Sequence, residues 1–152
     1  SAEGHLQLAI QTTEGSPTIR KETYQAAGKA LALGLSGADR VALAYQLRGL
    51  YHLQRGEGEA AEKELMAALT PTANYDPDKI SPARHAELHH LLSQAYRRQS
   101  RYDAAYAEID LALARARELG MDGLTQKYVD ERELIDKHAG RTVRHPARDI
   151  VN

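Results

Sequence analysis

Residues 44–69, AYQLRGLYHLQRGEGEAAEKELMAAL, and residues 88–113, LHHLLSQAYRRQSRYDAAYAEIDLAL, decide how this chain reads. Laid over each other at an offset of 44, they match small residue with small and large with large. Gly49 falls on Ser93, Gly56 on Ser100 and Ala61 on Ala105; Leu65 falls on Ile109, Ala68 on Ala112 and Leu69 on Leu113. Each stretch reads as two helices joined by a sharp turn, Arg55 to Gly58 in the first and Ser100 to Tyr102 in the second. The small residues have a steric reason. Gly49 and Ser93 fall where the first helix of a hairpin approaches the second, with Ala61 and Ala105 opposite. Ala68 and Ala112 let the next hairpin stack closely, while Leu65 and Ile109 fill the space between.

Caps and breakers extend the pattern in both directions. Residues 3–13 predict a short helix ended by Glu14-Gly15. Ser16-Pro17 reads as an N-cap with proline in the first turn, which predicts a helix from 17 to about 35, broken by Ser36-Gly37. Helices follow over about 38–55 and 58–69, and then a loop with two prolines, TPTANYDPDKIS (70–81). Ser81-Pro82 repeats the cap-plus-proline device and opens a helix over about 82–99. Two more follow, over about 101–119 and, capped by Asp122, from 123 to 139. The organisation expected is an N-terminal segment 1–16, a helical repeat domain 17–139 with hairpins at 38–69 and 82–119, and a flexible tail 140–152 containing Pro146.

Composition agrees with an all-α fold. Of 152 residues 42% are apolar, yet Trp and Phe are absent and every aromatic is Tyr, so Ala and Leu carry the core. No stretch alternates β-branched residues as a strand would. Twenty Lys plus Arg against 21 Asp plus Glu argue against a dedicated nucleic-acid binder. Zero Cys excludes a disulfide framework, a thiol nucleophile and a thiolate metal site. Apolar runs stay far below the roughly 20 residues needed to span a bilayer, and no apolar leader is read at the start. The expected compartment is the cytoplasm, with the periplasm as the alternative if a leader has been removed.

The paired pattern resembles the tetratricopeptide repeat, whose helix pairs recur every ~34 residues. Tyr45 stands where that family prefers Trp, and Tyr102 matches the aromatic that opens the second helix. There are departures: Arg48 replaces a Leu that Leu92 keeps, His52 replaces a Tyr that Tyr96 keeps, and the closing Pro is displaced to Pro71. The offset of 44 is similar to that of long-repeat variants such as those in kinesin light chains and some bacterial regulators. The helix at 17–35 resembles the second helix of a degenerate earlier repeat, with Ala30-Leu31 as its closing pair, and the helix at 123–139 resembles a terminal capping helix. The resemblance implies antiparallel hairpins stacked as a short right-handed α-solenoid.

It also implies a binding surface, because the first helix of each pair lines the concave face of such arrays and takes a peptide or a partner's helix. Those positions are Leu43, Gln46, Leu50 and Leu53 in the first hairpin, and Glu87, His90, Gln94, Arg97 and Arg98 in the second. The helix at 38–55 is apolar nearly all round, with Val41, Tyr45, Leu47 and Tyr51 on its other sides, so something should cover Leu43, Leu50 and Leu53. Segment 3–13, a second copy of the chain and a partner peptide are the candidates. The second hairpin's positions are polar and partly basic, which suits an amphipathic segment carrying acidic groups. Gln46, Leu47 and Leu50 occupy places where chaperone-binding members grip a carboxylate, so that clamp is absent.

Other constellations read as structural. His85 and His89 have zinc-capable spacing, with His90 adjoining, but HAELHH lacks the HExxH order and no Cys can add a ligand. GEGEAA (56–61) imitates a nucleotide-binding fingerprint without the preceding strand that motif requires. Asp76-Pro77-Asp78 lacks the Gly and Glu of a calcium loop. Arg97, Arg98, Arg101, Arg115 and Arg117 lie among carboxylates, as a salt-bridged surface does. The expectation is a non-enzymatic interaction module or adaptor with no cofactor, metal, nucleic acid or membrane insertion. The alternatives are a self-associating structural piece, with Leu43, Leu50 and Leu53 forming a homodimer, and a His-based metal or small-ligand binder.

Overall fold

A computed structural model of the chain describes residues 1–141, and within them the fold is all-helical. Helix α1 spans Ala2–Gln11, α2 Lys21–Ala32, α3 Ala38–Gln54, α4 Gly58–Leu69, α5 Pro82–Arg98, α6 Tyr102–Glu118 and α7 Asp122–Ala139. Each packs mainly against its neighbours in sequence, which is the arrangement of a stacked helical repeat. Three antiparallel hairpins follow one another, α1–α2, α3–α4 and α5–α6, and α7 packs on α6 and α5. Segment 3–13 is therefore the first helix of a complete hairpin. The tail expected to be flexible lies, from residue 142 on, outside the described residues.

The repeat is written in the backbone as well as in the side chains. Gly56 and Ser100 both take left-handed backbone at the hairpin turns (φ 75° and 58°), and Ser100 is the only non-glycine among the described residues to do so. Beside them, Glu57 N–H donates to the His52 carbonyl and Arg101 N–H to the Tyr96 carbonyl, each at 2.9 Å. These bonds close off the ends of α3 and α5 and hold the two turns alike.

Two helix starts differ from the sequence expectation: α7 opens at Asp122 itself, with Met121 in the cap position, and α2 opens late. Ser16-Pro17 does not open α2, which begins four residues later at Lys21 with Arg20 in the cap position. The Ser16 hydroxyl turns back on Thr18, accepting its N–H at 3.3 Å and donating to its carbonyl at 2.9 Å. Gln54 of α3 then claims the linker backbone, accepting from Ile19 N–H at 2.6 Å and donating to the Pro17 carbonyl at 3.0 Å. A local turn and a distant side chain together outcompete the proline signal.

The core is built on alanine. Ala61, Ala68, Ala105 and Ala112 are fully buried, as are Leu65 and Ile109 between them. A Cβ at Gly49 would lie 2.8 Å from Leu65 Cδ2, so Leu65, rather than Ala61, is what presses on that glycine. Ser93, its counterpart, is buried and satisfied, donating to the His90 carbonyl at 2.5 Å.

The loop that lengthens the repeat is pinned at both ends. Thr72 and Tyr75 pair as an isolated bridge, and the buried Tyr75 hydroxyl donates to the Ala68 carbonyl at 2.5 Å. Burial, with the Tyr45 and Asp39 charges adding, pushes the Tyr75 phenol up to about 12. Pro77 and Ile80 are buried, and Ser81 N–H donates to Asp39 Oδ1 at 3.0 Å. Among the described residues no helix is long and apolar enough to cross a membrane.

The junction between the second and third hairpins is set by Gly58. A Cβ there would meet the Ala95 carbonyl oxygen at 2.8 Å and Arg98 Cβ at 2.9 Å, and neither can swing aside. Gly58→Ala is expected to destabilise the fold by about 1–3 kcal/mol through overpacking. Gly123→Ala, where a Cβ meets nothing within 4 Å, should be neutral or stabilise by up to about 1 kcal/mol. Urea unfolding of both variants checks the pair.

Candidate functional site

Helix α3 packs on α5 and α5 on α7, while α1 faces α3 and the start of α5 across a cleft; the exposed edges of these helices define the candidate groove. Leu43 lies in a cleft of about 240 Å³ with Glu3, Leu6, Gln7, Ile10, Asp39, Arg40 and Arg84. Leu50 is half-buried against the core. Gln46 sits at the α3–α5 contact and accepts from Arg84 Nη1 at 2.9 Å. Leu53 is 4% exposed and belongs to the core, so it presents nothing to a partner. The apolar stripe expected along α3 is thus mostly covered by the chain itself, with α1 facing Leu43 across the cleft.

At the α5 end the structure corrects the expectation of an open cationic groove. Arg97 is almost fully buried and donates to Glu131 of α7 at 2.8 and 3.3 Å. His90 is 4% exposed; its Nδ1 lies 2.7 Å from Glu87 Oε1 and its ring packs on fully buried Tyr128. Gln94 Nε2 lies 3.0 Å from His90 Nε2. Glu87 also accepts from Lys127 Nζ at 2.9 Å and from the Tyr128 hydroxyl at 3.4 Å. Only Arg98 of the basic set is exposed, at the α4 junction. The physical reason is that α7 supplies Glu131, Lys127 and Tyr128, and a buried guanidinium requires a carboxylate facing it.

The electrostatics follow from this packing. Burial works to raise the Glu87 pKa, but hydrogen bonds and charge from His90 and Lys127 outweigh it and hold the carboxyl below its ordinary value. Burial, reinforced by the His89 and Arg115 charges, lowers the pKa of His85. The three histidines do not converge. His85 and His89 stack edge to face at 4.7 Å, and His89 meets Glu108 of α6 at 2.5 Å, whereas His90 points at α7. Among the described residues no three metal-binding side chains gather into a site.

Arg48 carries a role the sequence reading missed. It donates to both Glu64 carboxylate oxygens (3.1 and 3.0 Å), to the Tyr24 carbonyl (3.0 Å) and to the Tyr24 hydroxyl (2.9 Å), and its guanidinium lies 3.9 Å from the Tyr24 ring centre. A Cβ at Gly28 would collide with its Nη1, so a glycine opens the path. Tyr24 in turn stacks on Tyr51 at 4.6 Å, with His52 edge-on to Tyr24 at 5.1 Å. The departures at positions 48 and 52 thus fasten α2 to α3 and α4. The signal available in sequence was only a charged residue where the repeat expects Leu. The glycines of GEGEAA serve the turn at Gly56 and the hairpin junction at Gly58.

Two outcomes follow from these contacts. Arg97→Met leaves Glu131 buried without a partner and should cost about 3–5 kcal/mol, while Arg97→Met combined with Glu131→Leu should restore most of that loss; denaturant unfolding of the single and double variants measures it. Because the Glu87 carboxyl is depressed in the folded state, its contribution is present above the unfolded value of about 4.3 and is lost as pH falls through the folded value. The drop in stability on acidification should therefore be smaller in Glu87→Gln than in the parent, as measured by urea melts at stepped pH.

Compared with known proteins, the chain matches no family model, no curated protein and no solved structure.

Proposed function

We propose that the protein is a non-enzymatic interaction module, built like tetratricopeptide repeats, that seats a peptide or a partner's helix in the cleft between α1, α3 and the start of α5. The observation that carries this reading is the cleft around Leu43. At the α5–α7 end the inner face is filled by the chain's own ion pairs, while between α1 and α3 half-buried Ile10 and Leu43 border an open concavity rimmed by charge. Apolar groups beside polar rims in a rigid helical scaffold are what partner segments use. Against an enzyme stands the fate of the titratable groups: Glu87, His90, Arg97 and Glu131 are committed to one another inside the α5–α7 contact.

A displayed library of random short peptides, selected on the full chain, tests the reading. Binders are expected whose footprint in backbone amide shifts covers Ile10, Asp39 and Leu43. Leu43→Glu should weaken them about tenfold or more, equivalent to ~1.4 kcal/mol, at a temperature where a thermal melt shows the variant still folded. No binders, or binders indifferent to Leu43→Glu, would overturn it. A mass by light scattering that doubles with concentration, and that Leu43→Glu returns to monomer, would assign the cleft to a second copy instead.

A further inference from the structure

The junctions of the stack are not made alike. Helix α5 rests on both helices of the hairpin before it, α3 and α4, and α7 rests on both α5 and α6. Helix α3 rests mainly on α2. Helix α1 packs on α2, burying Ala2, Leu6 and Ala9, and the cleft beside Leu43 separates it from α3. Across that cleft Arg40 and Glu3 stand 4.0 Å apart with both side chains more than half exposed, a pair worth ~0–1 kcal/mol. The first hairpin is thus joined to the rest along one helix only.

That one helix is firmly held. Arg48 of α3 donates to the Tyr24 carbonyl at 3.0 Å and to its hydroxyl at 2.9 Å, Tyr24 stacks on Tyr51 at 4.6 Å, and Gln54 grips the segment before α2 at Pro17 and Ile19. The Thr12 and Thr23 hydroxyls, 2.5 Å apart, tie α1 to α2, so the hairpin moves as one piece. Its connection to α3 differs from the later ones. Gly34 and Gly37 both take left-handed backbone, at φ 86° and 88°, on either side of buried Leu35. A Cβ at Gly34 would meet nothing within 4 Å. The 70–81 loop, by contrast, is anchored by buried Tyr75, Pro77 and Ile80, and residues 119–121 are closed by Met121 N–H donating to the Ala116 carbonyl at 3.1 Å. A few linker residues free to absorb changes in φ and ψ are what a hinge requires.

We propose that the N-terminal hairpin is a hinged jaw on the rest of the stack: α2 is its axle, the linker 33–37 its hinge, and α1 swings toward and away from α3, closing and opening the cleft beside Leu43. The face α2 buries is made of Ala26, Ala27 and Ala30, whose short side chains form shallow ridges that resist turning little. With packed helix axes about 8–10 Å apart, a rotation of about 15° around α2 carries α1 through about 2–3 Å, the scale of one side chain's access. The motion belongs to the free chain. It therefore stands or falls separately from the reading of the cleft as a peptide groove.

A chain without Cys accepts paired spin labels at chosen sites. Leu8→Cys on α1, Gln25→Cys on α2 and Lys63→Cys on α4, all at exposed positions, are each combined with Ala107→Cys on exposed α6 surface. Double electron–electron resonance on the full chain, without any ligand, then gives three distance distributions. The α1 distribution should be broader than the α2 one by about 2–3 Å, the arc set by the spacing of packed helices, or split in two. The α2 distribution should be as narrow as that of α4. Arg48→Met, which frees the axle, should broaden the α2 distribution as well; where a thermal melt shows that variant unfolded, Gln54→Ala takes its place. Equal widths for α1 and α2 would overturn the jaw, whether both are narrow, as in a rigid stack, or both broad, as in an array that flexes throughout. An α2 distribution that stays narrow in the folded Arg48→Met or Gln54→Ala variant would overturn the assignment of α2 as the axle.

Discussion

Close approach of helix on helix is the constraint on which this structure depends. A chain without Trp or Phe has little apolar area to offer per residue, so its helices gain cohesion only by packing at short range. Fully buried Ala61, Ala68, Ala105 and Ala112 permit that range, and Leu65 and Ile109 fill the gaps that remain. Even the buried hydroxyls obey it. Thr23 meets Thr12 at 2.5 Å, Thr12 passes its own bond to the Ala9 carbonyl, and Ser93 bonds inside its helix, so each stays short and satisfied where a longer polar group would wedge the helices apart.

The hairpins were legible because their determinants are local. The offset of 44 seen in side-chain size returns as matching left-handed residues at Gly56 and Ser100 and matching backbone bonds after them. The start of α2 was not legible, since it is decided by Gln54, more than thirty residues away. The same distance hid the state of the α5 end. Arg97 reads identically in sequence whether it faces solvent or Glu131, and 34 residues separate the pair. Of the residues lining the cleft, Leu43 was named from sequence, and segment 3–13, which now faces it, was one of three candidates to cover it. Arg40 and Arg84 passed unnoticed because a charge in the first turn of a helix is ordinary, and only the geometry shows Arg84 bonded to Gln46 with its Nε buried and without a hydrogen bond.

Arginine has three different uses here. Arg48 joins α2, α3 and α4 through a carboxylate, a ring and a backbone carbonyl. Arg97 fixes where α7 lies on α5, since a buried pair tolerates little displacement before both charges are exposed to apolar surroundings. Arg84 is positioned by Gln46 yet unfulfilled at Nε. The first two uses each fasten one helix to its neighbours.

Gly58 has a consequence beyond packing. At that point the first turn of α4 rests against the last turn of α5 through backbone and Cβ atoms, with no intervening side chain. Contact of that kind brings the two hairpins together at this end as closely as their backbones allow. The approach of the second hairpin to the third is therefore limited by the size of one residue at their junction.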